Sequence, residues 1–160
     1  ILCINHKSVL DPPLIGVFIP RKLNFMAKEE LFRIPILKEI IKAFGAFPVK
    51  RATADISAIK TALNLLKEGR ILAIYPEGTR NKSDDLIQAK SGMTFIAIKA
   101  QVPIIPIGIS GKYRLFHKIH INIGEPIYLT EYYNQKLPMN KLQPISDLIM
   151  ERIRELMEVK

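Results

Sequence analysis

Along most of the chain, short apolar runs of strand length alternate with segments whose apolar residues recur at helical spacing. This alternation limits the fold more than any other feature. "ILCIN" at the start, "KLNFMAK" over 22–28, "AFPVK" over 46–50 and "ILAIY" over 71–75 read as strands. Between the first two, Asp11 is suited to cap a helix whose first turn accepts Pro12 and Pro13. Leu37, Ile40, Ile41 and Phe44 mark a helix that starts at Pro35 and stops at Gly45, and Ile56, Ile59, Leu63 and Leu66 mark another that ends at Gly69. After a polar loop over 76–92, "MTFIAIKA" reads as helix and "VPIIPIGIS" as a strand that Pro103 and Pro106 assign to an edge or a bulge. "HKIHINIG" alternates as a half-exposed strand does, and Ile145, Leu148, Ile149, Ile153, Leu156 and Met157 give a closing amphipathic helix. The expected architecture is a single α/β domain over residues 1–160, with a mixed, mainly parallel central sheet flanked by helices. In such sheets, sites gather at the carboxyl ends of the strands.

Composition narrows the partners. Lys and Arg outnumber Asp and Glu by 24 to 15, and the net charge of +9 favours an anionic partner: nucleic acid, an acidic membrane surface, or a phosphorylated or CoA-like substrate. The single cysteine, Cys3, excludes an intramolecular disulfide and reads as a buried structural thiol. No apolar stretch approaches the roughly 18 to 20 residues that span a bilayer, so a soluble or peripheral protein is expected. The chain opens at Ile1, inside a strand-like run and without Met, so a preceding segment with room for a membrane anchor is also expected.

Four stretches carry candidate chemistry. In "NHKSVLD", His6 and Asp11 lie across a strand-to-helix turn, where a carboxylate can hold one imidazole nitrogen and leave the other free as a general base. Chance alone supplies roughly 0.1 such pairs in a chain of this composition. Each residue also has an ordinary alternative: Asp11 as a helix cap, His6 as a partner for backbone groups. In "YPEGTRNK", Gly78 permits a sharp turn that exposes N–H groups, and Arg80 offers a planar fork for phosphate. The competing reading is an exposed turn with solvated charges, and the absence of G-x-x-x-x-G-K-[ST] excludes a nucleotide P-loop of that form. Glu77 is ambiguous, because a carboxylate beside a phosphate repels it unless it binds a hydroxyl or a cation. Lys28, Arg51 and Arg80 all follow strands; singly each reads as solvated surface, together as cations sharing one rim of the sheet with His6.

In order and spacing, "NHKSVLD", "GAFPVKR", "YPEGTR" and "VPIIPIGI" resemble the four blocks of the glycerolipid acyltransferases, and most closely the bacterial 1-acyl-glycerol-3-phosphate acyltransferases. The resemblance runs from Asn5 to about Gly108 and continues more weakly to the end. It implies a glycerol-3-phosphate acyltransferase-like fold, with His6 and Asp11 as the catalytic H-x4-D pair. It also implies that Glu77, Gly78, Thr79 and Arg80 form the acceptor-binding turn, that Arg51 contacts the acceptor phosphate, and that Lys28 assists. Pro48, Lys50 and Asn81 depart from the family pattern, which bears on acceptor preference.

The function this implies is acyl transfer from acyl-CoA or acyl carrier protein to the 2-hydroxyl of lysophosphatidic acid, giving phosphatidic acid, with no cofactor and no metal. Peripheral docking on an anionic membrane, at the cytoplasmic face, is expected, with the closing helix as one candidate contact and core packing as its ordinary role. The rivals are another lyso-acceptor, such as a lysophospholipid or glycerol 3-phosphate, and a non-catalytic basic module for nucleic acid. The second is disfavoured by only 8% aromatic residues and no interleaved basic and aromatic platform. A metal hydrolase is weaker still: His117 and His120, read as residues of one strand, point to opposite faces.

Overall fold

The computed structural model describes residues 1–50, 55–81 and 88–159, and these fall into two compact units, Ile1–Val9 with Tyr75–Lys160, and Leu10–Ile74. In the second unit the chain runs α1 (Asp11–Phe18), β2 (Leu23–Lys28), a 3-10 turn (Glu29–Arg33), α2 (Pro35–Ala43), β3 (Ala46–Val49), α3 (Ile56–Lys67) and β4 (Ile71–Ile74). Its strands lie in the order β3-β2-β4, both pairings parallel, with Phe25 opposite Ala46 on one side and Ala73 on the other. Parallel neighbours require crossovers, and α2 and α3 supply them. Gly45 closes α2 at φ 78, where a Cβ would collide with the Leu23 carbonyl; its own carbonyl accepts from Phe25 N–H (3.2 Å) and Asn24 Nδ2 (3.1 Å). Asp55 caps α3 by accepting from Ala58 N–H at 3.0 Å, and also takes Lys50 N–H at 2.8 Å. Leu72, Ala73, Ala62, Phe25 and Ile15 are buried here.

The first unit holds β1 (Leu2–Ile4), α4 (Gly92–Ala100), β5 (Ile105–Gly111), β6 (Ile119–Ile123), a short 3-10 turn (Thr130–Tyr132) and α5 (Met139–Glu158). β1 pairs parallel with β5, Leu2 opposite Ile105, and β5 pairs antiparallel with β6, Ile109 opposite Ile121. The chain is thus α/β with mixed, mainly parallel strands flanked by helices, as the alternation implied. β5, however, is an inner strand and not an edge. Pro106 fits there because it lies just past the last β5–β6 pair, Ile107 with Ile123, and there its carbonyl accepts from Gly124 N–H at 2.9 Å without any N–H being needed.

α5 serves the core. Leu142, Ile149 and Ile153 are fully buried, and β5 meets the helix so closely at Gly108 that a Cβ there would stand 2.8 Å from Leu156. A buried hydrogen bond between Thr94 and Ser146 hydroxyls (2.6 Å) stitches α4 to α5. The ordinary role, packing, therefore claims Leu142, Ile145, Ile149 and Ile153 of the closing helix, while Leu148 stays exposed. Cys3 is buried, and desolvation pushes its thiol well above the usual range, in keeping with an inert structural residue. No helix among the described residues is long and apolar enough to cross a membrane.

Candidate active site

β1 ends at Ile4, and the next two residues are fixed in turn. Asn5, buried, grips the backbone of β5 with both ends of its amide: Nδ2 donates to Ile109 O (2.9 Å) and Oδ1 accepts from Ile109 N–H (2.7 Å). His6 is then held at both of its backbone groups by the segment that leaves β4. Its N–H donates to Glu77 Oε1 at 2.8 Å, and its carbonyl accepts from Asn81 N–H at 2.7 Å. The Tyr75 ring stacks on the imidazole, centroids 4.2 Å apart and planes inclined by 24°. A half-buried imidazole set in this way has a restricted orientation.

The 75–81 turn is shaped by Gly78, which sits at φ 69 and donates its N–H to Tyr75 O at 3.0 Å. Beyond it Thr79 and Arg80 are exposed. Glu77 is 3% exposed, so its carboxylate faces the protein. The ambiguity in its sequence assignment has a geometric answer in part: one oxygen serves the His6 backbone. A cation that sequence reasoning missed, Lys90, lies over this turn; a Cβ on Gly78 would be 3.3 Å from its Nζ, and its N–H donates to Pro76 O at 2.9 Å. The only signal for it was a lone Lys just ahead of α4. His6, Glu77, Gly78, Thr79, Arg80 and Lys90 are thus gathered in the first unit.

The remaining candidates belong to the second unit. Asp11 is fully buried and is the first residue of α1, one place later than a cap; Leu10 occupies the cap position. A carboxylate in the first turn is favoured by the helix dipole. Lys28 is the exposed last residue of β2, opposite Val49, so Lys28 and Lys50 stand at the same end of that strand pair. Arg51 lies outside the described residues. His117 also differs from expectation. It sits in the turn before β6, its Nδ1 3.1 Å from Leu115 O, because β6 starts only at Ile119. Among the described residues no cluster of His, Cys, Asp and Glu is arranged to hold a metal ion.

Residues 1–110 match the family model described as Acyltransferase. A Bacillus subtilis (strain 168) protein named 1-acyl-sn-glycerol-3-phosphate acyltransferase is 34% identical over 163 residues, covering 98% of this chain and 80% of that one. A Streptococcus pneumoniae protein of the same name is 31% identical, with 99% of this chain and 60% of that one covered. The crystal structure of the 1-acyl-sn-glycerophosphate (LPA) acyltransferase PlsC from Thermotoga maritima superposes with a TM-score of 0.73 at 27% identity, covering 99% of this chain and 66% of that chain.

Proposed function

This chain belongs to the acyltransferase family, and we propose that it transfers a fatty acyl group from a thioester, acyl-CoA or acyl carrier protein, to the 2-hydroxyl of 1-acyl-glycerol-3-phosphate. The observation that carries this reading is the fixing of His6 by the 75–81 turn, since a general base works only if its ring is held where the proton will leave.

His6 takes the proton of the acceptor hydroxyl as its oxygen attacks the thioester carbonyl; a C–O bond forms, the C–S bond breaks, and the departing thiolate recovers the proton from the imidazolium. Asp11, joined to His6 by the H-x4-D spacing, holds the other ring nitrogen and stabilises the imidazolium. Thr79, Arg80 and Lys90, on and beside the segment that holds His6, fix the acceptor phosphate, a task for which the family resemblance also names Lys28 and Arg51. No cofactor and no covalent enzyme intermediate enters this scheme. The protein works docked on the anionic cytoplasmic face of the cell membrane, where the lyso-lipid acceptor partitions; its net charge of +9 supports this.

The test is thiol release from long-chain acyl-CoA and from acyl carrier protein with several acceptors side by side. Lysophosphatidic acid should give phosphatidic acid fastest. Preference for glycerol 3-phosphate or for a larger-headed lysophospholipid would reassign the acceptor, and salt-sensitive DNA binding without any thioester turnover would overturn the enzymatic reading.

A further inference from the structure

β5 and β6 end their pairing at Gly111 opposite Ile119, which leaves 112–118, "KYRLFHK", as the turn of the hairpin. The turn is built, not slack. Gly111 enters it at φ 99, where a Cβ would collide with the Lys118 carbonyl; Arg114 N–H donates to Lys112 O (2.8 Å) and His117 N–H to Arg114 O (3.1 Å). At the tip Leu115 is 80% and Phe116 96% exposed. Phe116 moreover adopts φ 64, a left-handed conformation that is costly for a bulky residue and that holds the ring out in solvent. Around this apolar pair stand Lys112, Arg114, His117 and Lys118, and the chain carries no Asp or Glu between Ile109 and Gly124.

The position of this tip follows from register. β1 and β5 run parallel, and Asn5 bonds to Ile109, so the end of β5 that leads into the hairpin turn is the same end of the sheet from which His6 emerges. Two apolar side chains that water disfavours, flanked in sequence by Lys112, Arg114 and Lys118 with no carboxylate among them, match a bilayer interface: the ring and the leucine enter the acyl boundary while Lys and Arg reach lipid phosphates. We propose that the β5–β6 hairpin tip is the membrane-docking element of this protein, inserting Leu115 and Phe116 into an anionic bilayer beside the catalytic edge. The choice of a bilayer over an acidic protein rests on the acyltransferase reading above, in which the substrates are membrane lipids.

The chain contains no tryptophan, so Phe116→Trp supplies a single reporter. Its emission should shift to the blue on adding vesicles of phosphatidylcholine with a minority of phosphatidylglycerol, and bromine-labelled lipid should quench it. In flotation, the double variant Leu115→Ser, Phe116→Ser should lose binding by about tenfold or more. The triple variant Lys112→Gln, Arg114→Gln, Lys118→Gln should lose about fivefold per cation on anionic vesicles only. Both should keep their melting temperature and their turnover of detergent-dispersed substrate. Unshifted emission from the Phe116→Trp protein, wild-type flotation of the double and triple variants, or a blue shift that appears without vesicles as protein concentration rises would overturn the proposal, the last by assigning the tip to self-association. Because fluorescence and flotation need no turnover, a protein that inserts its tip yet releases no thiol would refute the enzymatic reading alone.

Discussion

Two turns leave the same end of the first unit and are built in opposite ways. At the end of β1, His6 is tied down at its N–H, its carbonyl and its ring, each by a neighbour from the 75–81 segment. At the end of β5, Phe116 is held out from the protein by its own backbone. The first arrangement removes freedom from the group that, in the mechanism proposed above, must meet a reacting atom within a fraction of an ångström. The second leaves apolar surface for something outside the chain to cover. The difference teaches that the two proposed roles rest on opposite signs: many neighbours fixing His6, and few covering Leu115 and Phe116.

If that contrast is right, disturbing the first turn should damage turnover and leave vesicle binding intact, with effects graded by what is removed. With Asp11 as the partner carboxylate of the proposed mechanism, Asp11→Asn should reduce kcat by about 10² or more, read from steady-state thiol release. Glu77→Ala deletes the acceptor of the His6 N–H in a buried setting, a loss of about 1–3 kcal/mol, and should lower kcat by about 10- to 100-fold, whereas Glu77→Gln keeps an acceptor oxygen and should recover much of it. Equal losses in the two variants would mean that the charge, and not the hydrogen bond, is what matters. Tyr75→Leu removes the stacked ring and should cost about three- to tenfold in kcat, with Tyr75→Phe closer to wild type.

The smallest effect lies in the second unit. Backbone N–H groups, that of Lys50 first and then that of Ala58, hold the Asp55 carboxyl below its ordinary range. Its stabilising contribution is therefore complete above the normal carboxylate pKa of about 4 and fades as pH falls through the lower folded value. Asp55→Asn should flatten the acid limb of the melting temperature against pH and leave kcat and vesicle binding unchanged. A change in vesicle binding would break the separation drawn between the two turns.

Much of this was legible in the residues. Periodicity located the strands and helices because burial on one face writes itself into spacing, and the motif at 75–80 pointed to the turn that meets His6. Pairing was less legible: Pro106 suggested an edge, since nothing in the sequence says that the strand beside it ends just before the proline. Glu77 resisted assignment because its partner is a backbone N–H 71 residues away, and main-chain groups leave no trace in composition. Lys90 was hidden for the same reason. The hairpin tip was read partly as strand, because His117 continues the alternation of β6, and exposure of Leu115 and Phe116 is a property of the folded surface, not of their neighbours in sequence. The closing helix looked amphipathic enough for a membrane, but Ile145, Ile149 and Ile153 of its apolar stripe are buried in the core and only Leu148 of the buried-face pattern is well exposed.

The central claim is that His6 is the base of an acyl transfer, and the most direct measurement is the kcat and KM of thiol release for His6→Ala with long-chain acyl-CoA and lysophosphatidic acid. A loss of about 10²–10⁴ in kcat, with KM and vesicle binding close to wild type, is the predicted result. Turnover near that of the unaltered protein would contradict it.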